Sequence, residues 1–196
     1  MELDRAHSIK QTAEDTLFSI ILTSIAGIFI NIGLGLMTIF SNNTNNFLGG
    51  VLFILCAVLG FIILPQTIVN HIYPSTISFP KISWLRFLFL YLLIFPFLIY
   101  LGGLEKTLFF LLIAICEEYL FRHIILKVLS KKNSIFISAI IGSLIFSIIL
   151  HSNYSIIDNL LVRMPFSLIF YYASIKYKLQ DAIMLHWLYN IIANII

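Results

Sequence analysis

The chain has 196 residues, 60% of them hydrophobic, and a mean hydropathy of +1.02. A water-soluble domain carries far less apolar content, so the composition excludes an ordinary globular protein and points to one domain, residues 1–196, dissolved in lipid. The net charge of +3 is too small to argue for nucleic acid, and two cysteines in apolar segments, Cys56 and Cys116, read as buried thiols and not as a disulfide framework.

The N-terminus, Met1 to Asp15, is polar and of mixed charge. It lacks the basic start and early apolar run of a secretory signal, so it is expected to be retained in the cytoplasm. A membrane-spanning helix needs about 20 mostly apolar residues. On that criterion the sequence predicts seven, over 17–40, 47–69, 85–103, 107–129, 134–152, 158–175 and 181–196. The predicted fold class is therefore all-α, a polytopic integral membrane bundle.

The predicted breaks are chemically ordinary. Residues 41–46 form an uncharged polar turn. His71 to Trp84 carries Pro74, Pro80 and Lys81. Gly102-Gly103 precedes Glu105-Lys106, and Ser130-Lys131-Lys132-Asn133 is a basic turn. Pro65, Pro96 and Pro165 fall inside segments, where neighbouring helices can re-satisfy the freed backbone, and kinks are expected there.

Charge sorts by loop. Arg5, Lys10, Lys81, Arg86, Lys127, Lys131, Lys132, Lys176 and Lys178 share one side of a seven-helix arrangement, and only Lys106 takes the other. The positive-inside rule then predicts a multi-pass protein of the cell membrane with its N-terminus cytoplasmic and its C-terminus outside. Adding or dropping one early helix would scramble this sorting.

The most informative residues interrupt the fourth segment. Glu117-Glu118-Tyr119-Leu120-Phe121-Arg122 puts two carboxylates and a guanidinium in a run that is otherwise apolar. A charge at mid-bilayer costs roughly 2.5–3.5 kcal/mol on the mildest scale. Such groups persist where they pair, face a wet cavity, or do chemistry. Glu118 and Arg122 are four apart and share a helix face, whereas Glu117 is turned by about 100°. Two carboxylates in different surroundings have different proton affinities, which separates a base from a supporting group. A purely structural ion pair is the alternative.

Two further elements carry polar groups. His151 ends the fifth segment, and His186 and Asn190 stand four apart on one face of the last. Taken alone, His151 reads as an interfacial residue, and His186 with Asn190 as an interhelical hydrogen-bond pair. Taken together with the glutamates they can supply a base for water, a polarising group and an oxyanion partner. Glu117, His151 and His186 can equally be metal ligands, with zinc the natural candidate. Arg163 reads as an outer-interface arginine that snorkels, with substrate-carboxylate binding as its other role. His123 points about 100° away from Arg122 and is left out of the set.

Helix rise poses one difficulty. Glu117 should stand about 20 Å and His151 about 26 Å above the basic face, but His186 only about 12 Å above Lys178. Tilt, a kink at Pro165 or a late fifth helix is needed to bring them level.

Glu117-Glu118-x-x-x-Arg122, a Phe-rich segment ending in His151, and His186-x-x-x-Asn190 resemble the CPBP family. These are CAAX protease and bacteriocin-processing intramembrane proteins, also called ABI, related to type II CAAX prenyl endopeptidases. The resemblance covers about residues 105–196. The second motif departs from it. The family has Phe four residues before the histidine, where this chain has Ser147, with Phe146 one further back. Ser155 stands four residues after His151, where an asparagine is expected.

The resemblance implies peptide-bond hydrolysis in a membrane cavity. Glu117 would activate water, Glu118 and Arg122 would support it, and His151, His186 and Asn190 would bind the water or the oxyanion. Substrates would be peptides or membrane-associated, including prenylated, proteins, in peptide maturation or bacteriocin self-immunity. The family is commonly labelled metallopeptidase, and a glutamate-activated water without metal suits the same residues. Two other functions use the same features: an immunity or regulatory protein that binds a peptide without cleaving it, and a proton-coupled transporter. A transporter is expected to show an internal repeat, and this chain has none that stands out.

Overall fold

A computed structural model of the chain describes residues 2–41, 46–73 and 78–195. Those residues are helical throughout, apart from short links, and contain no strand. The rods are α1 (Glu2–Ser41), α2 (Asn46–Ile72), α3 (84–102), α4 (104–129), α5 (Ile135–Leu150), α6 (Ile156–Tyr177) and α7 (Leu179–Ala193). Four helices are long and apolar enough to cross a membrane: Ile9–Phe40, Asn46–Ile72, Trp84–Leu129 taken across its internal break, and Ile156–Tyr177. Ile135–Leu150 is apolar but shorter. The uncharged turn over 42–45 and Pro74 lie outside the described residues.

The first helix is longer than the predicted segment 17–40, since α1 runs unbroken from Glu2. Its residues are mostly good helix formers, and Lys10 and Glu14 make an exposed i,i+4 pair at 3.9 Å.

Two of the three prolines are accommodated in the same way. A wide π turn at Leu59–Ile63 precedes Pro65, and another at Asn159–Arg163 precedes Pro165. Proline has no N–H and its ring collides with the carbonyl four residues back, so an extra residue in the preceding turn relieves the conflict. Pro96 lies inside α3 with no such turn.

The break between α3 and α4 sits at Gly103, with φ 75° and ψ 165°, a backbone region that L side chains do not adopt comfortably. Thr107 closes it. Its hydroxyl lies 2.6 Å from the Gly103 carbonyl and 3.1 Å from that of Leu98, which satisfies acceptors freed at the break. Trp187 of α7 locks the junction, donating its indole N–H to the Thr107 carbonyl at 2.8 Å and stacking on Tyr91. A second tight link, at Lys178 with φ 83°, joins α6 to α7.

α1 packs along α2, and α7 packs against the 84–129 pair and against α6. The basic links gather at one end of the bundle. There Thr12 bonds Asn133, Asp15 receives the Tyr73 hydroxyl, the Lys131 ammonium sits over the Tyr73 ring, and Arg86 pairs with Asp181 at 2.6 Å. Burial raises the pKa of the Tyr73 phenol, and the nearby Asp15 carboxylate adds to the effect. The outer faces carry large apolar side chains such as Leu85, Phe89, Leu92 and Tyr100, as a lipid-bathed surface requires.

Gly103→Ala is expected to cost about 1–3 kcal/mol through backbone strain. Gly102→Ala is the control, because a Cβ there meets Ile191 at an ordinary 3.5 Å. Thermal unfolding in detergent should separate the two variants by several degrees.

Candidate active site

The site is built on a buried ion pair. Glu118 and Arg122, one helical turn apart on α4, have fully buried side chains, and Arg122 Nε lies 3.1 Å from Glu118 Oε2. The guanidinium donates from Nη2 to the Ser167 hydroxyl (2.9 Å) and carbonyl (3.2 Å) on α6. Four rings surround it, those of Phe121, Phe146, Phe170 and Tyr171, with centroids 4.6 to 5.7 Å from its central carbon. Aromatic faces attract a cation most strongly where water is excluded. Tyr171 is fixed in turn, its hydroxyl donating to the Phe121 carbonyl at 3.0 Å. The ring passes so close to Gly142 of α5 that any Cβ there would collide with the hydroxyl.

His186 of α7 joins the carboxylates. Its Nδ1 lies 2.7 Å from Glu118 Oε1, and its Nε2 lies 3.4 Å from Glu117 Oε2. With Nδ1–H donated to the arginine-paired carboxylate, Nε2 is the nitrogen presented to Glu117. The ring is clamped by Phe170, stacked at 4.9 Å, and by the edge of Phe146. Glu117 Oε2 accepts no hydrogen bond from the described residues, although it is buried.

Glu117 and His186 form the inner wall of a cavity of about 410 Å³. His151, Tyr154, Arg163, Asn190 and Asn194 also line it. Of the six residues singled out from the sequence, Glu117, His151, His186 and Asn190 face this cavity. Glu118 and Arg122 do not. They sit behind its wall, where Glu118 reaches the cavity only through His186. His151 is half-buried, with its ring edge-on to Phe146 at 4.8 Å. Its carbonyl accepts from Asn159 at 2.9 Å. His123 points elsewhere, packing on Tyr119 and lining a recess near the basic end.

The height mismatch is resolved by α7. Leu179 to Met184 are all buried, so the helix starts inside the bundle, level with Ser83 and Arg86, and not at its surface. His186 thereby reaches the depth of Glu117.

Arg163 does not simply snorkel outward. It lines the cavity, bonded to Asn159 Oδ1 at 3.3 Å and lying 3.6 Å over the Tyr154 ring. The polar stripe of α6 was legible but unread. Asn159, Arg163, Ser167 and Tyr171 recur every fourth residue, so they share a face that touches the site at each step.

Both His186 nitrogens face carboxylates, and no group of three or more His, Cys, Asp or Glu side chains able to hold a metal occurs among the described residues.

This geometry accompanies a family match. Residues 83–192, from the residue before α3 to within the last turn of α7, match the type II CAAX prenyl endopeptidase Rce1-like family. The chain belongs to that family. It is a protease family, and the chain is a member with several helices fit to cross a membrane. No curated protein and no solved structure matches the chain.

The departure at Ser147 has a structural counterpart. Phe146 to Leu150 form a π turn, which adds a residue to the helical repeat. Phe146 therefore meets His151 at a spacing of five instead of four, and contacts Arg122 and His186 as well.

Glu118→Gln leaves Arg122 as a buried charge without its counter-ion, and breaking such a pair costs about 3–5 kcal/mol. Thermal unfolding in detergent should show a large loss for Glu118→Gln and little change for Glu117→Gln.

Proposed function

We propose that the chain is an intramembrane endopeptidase in which Glu117 activates the attacking water. The observation that carries this reading is the division of labour between adjacent carboxylates. Glu118 is held behind the cavity wall by the Arg122 ion pair and the His186 hydrogen bond, whereas Glu117 lies on the wall itself. A base must reach the proton it removes, and only Glu117 is exposed to the cavity.

The reaction follows from these positions. Glu117 takes a proton from water as the water oxygen bonds to the scissile carbonyl carbon. The negative charge that forms on the carbonyl oxygen is met by donors from His151 and Asn190, with His186 Nε2 beside them. Glu117 then passes its proton to the amide nitrogen as the C–N bond breaks, releasing an amine and a carboxylate. Glu118 and Arg122 act through His186, holding its ring and tautomer.

The substrate is a peptide or the tail of a membrane-associated protein, prenylated proteins included, with peptide maturation or bacteriocin self-immunity as the setting. The fold is read as seven crossings in the cell membrane, with the N-terminus cytoplasmic. The clustering of basic links at one end of the bundle supports this reading.

Glu117→Gln preserves volume and removes the base. Cleavage, mapped by mass spectrometry with purified protein, should fall by at least about 10²-fold, with normal expression and folding. Full activity in that variant would leave peptide binding without cleavage as the better account. Reporter fusions after Lys132 and after Asn153 should report opposite compartments; one shared compartment would remove the seven-crossing topology.

A further inference from the structure

The basic end of the bundle is not a flat charged surface. It holds a recess of about 320 Å³, separate from the cavity at Glu117. Its walls come from Ser78 to Lys81 between α2 and α3, from the end of α4, and from the link between α6 and α7. The charges are graded by depth. Lys81 and Lys178 are exposed at the mouth, Lys127 is half-buried, and Arg122 and His123 are buried at the floor.

Arg122 is balanced by Glu118. The three lysines have no such partner. None of them makes an ion pair among the described residues, and no carboxylate lines the recess there. Asp181, close in sequence to Lys178, is held by Arg86 at 2.6 Å and by Gln180 at 2.9 Å. Lys127 donates to the Ser78 carbonyl at 3.4 Å, one use of an ammonium that has three donors. α7 begins at the same recess, at Leu179, with no side-chain cap from Lys178, so the helix dipole adds positive potential.

A second observation is independent of this excess charge. His123 is buried with its ring on Tyr119, and its Nε2 has no hydrogen-bond partner among the described residues. Arg122 Nη1 has none either. Buried polar atoms are almost always paired. An anion in the recess can accept from Arg122 Nη1 and, when the imidazole carries its proton there, from His123 Nε2. The mouth indicates what brings the anion. Phe79 lines the recess and is exposed, and Trp84 and Leu85, just beyond it in the chain, are exposed too. A free ion gains nothing from apolar rings, whereas a lipid presents an anionic headgroup beside an acyl chain. Basic pockets between membrane helices are suited to such headgroups.

We propose that this recess binds the phosphate of an anionic membrane lipid, with its acyl chains along Phe79. The ligand chemistry is a phosphate ester held by Lys81, Lys127 and Lys178 at the mouth and by His123 and Arg122 at the floor. The site goes beyond the protease reading and does not depend on what Glu117 does. A lipid bound there joins three separate parts of the chain, and a ligand that binds only the folded state stabilises it.

Thermal unfolding of the full chain in an uncharged detergent, with phosphatidylglycerol, phosphatidylcholine or inorganic phosphate added, tests this. Phosphatidylglycerol should raise the melting temperature saturably by several degrees. Phosphatidylcholine and inorganic phosphate at the same concentrations should not. Lys81→Gln, Lys127→Gln and Lys178→Gln combined should raise the half-saturating concentration at least about tenfold. Lys10→Gln, Lys132→Gln and Lys176→Gln combined remove as many charges outside the recess and should change it by less than about twofold. His123→Phe keeps the packing on Tyr119 and should weaken binding about threefold or more, which tests the floor even if the recess triple variant does not fold. Equal stabilisation by phosphatidylcholine would reduce the effect to an apolar belt and overturn the site. Equal stabilisation by inorganic phosphate would make the ligand a free ion and overturn the lipid. Equal weakening by the two triple variants, or no weakening by His123→Phe, would leave only diffuse surface charge and overturn the recess.

Discussion

The Arg122 guanidinium is the charge this bundle must accommodate, and the site is organised around that requirement. Taking an ion out of water costs several kcal/mol even after relaxation, and pairing offsets this only where geometry and extra hydrogen bonds are good. Arg122 is held from four separate helices, with hydrogen bonds from Nη2 alone among the described residues. α4 supplies Glu118 and Phe121, α6 supplies Ser167, Phe170 and Tyr171, α5 supplies Phe146, and α7 closes the set through His186 on Glu118. The same contacts that satisfy the charge fix the two rings, His186 and Phe146, that border Glu117. Stability and chemistry are thus coupled here, and a substitution that loosens the cage also misplaces the imidazole.

Wide turns recur before two prolines and along α4 and α5 where they pass the site, but not at Pro96 or in α7. Four occur among the described residues, at Leu59–Ile63, Tyr119–Ile125, Phe146–Leu150 and Asn159–Arg163. Two precede Pro65 and Pro165, where they remove a steric conflict. The one at Phe146 shifts a side chain by a register step and so keeps an aromatic ring under His151 without the expected sequence spacing. A π turn leaves some backbone groups poorly paired, which in lipid is tolerable only within protein. The turn at 119–125, buried throughout, meets that condition, whereas the one at Asn159–Arg163 exposes Leu160, Leu161 and Val162.

The molecule is asymmetric about the plane of the glutamates. One half has buried residues throughout 116–126 and the start of α7 drawn inside the bundle, with a recess at the basic end that reaches Arg122 and His123. The other is a cleft with a polar floor and an exposed rim. Burial of the ion pair places it in a low-dielectric setting, where its orienting effect on His186 is strongest. The open half exposes Glu117 and His186 to the cavity.

Helix content, the positions of most breaks and the polar set were all legible in the sequence, because each depends on local chemistry. Apolar runs must be helical in lipid since no other isolated segment satisfies its backbone there, and a Glu-Glu-x-x-x-Arg run amid them stands out by its cost alone. The continuity of the polar start of α1 with the first span was not legible, since polar composition marks an exposed surface and not the end of a helix. The tertiary structure decided which carboxylate faces the cavity, because a 100° rotation along one helix has no meaning until the neighbours are placed. It decided that His186 meets both glutamates, which depends on how deep α7 starts and so on the burial of Leu179 to Met184. It also decided that Arg163 belongs to the cavity wall, because a stripe of polar residues every fourth position says that they share a face but not what that face meets.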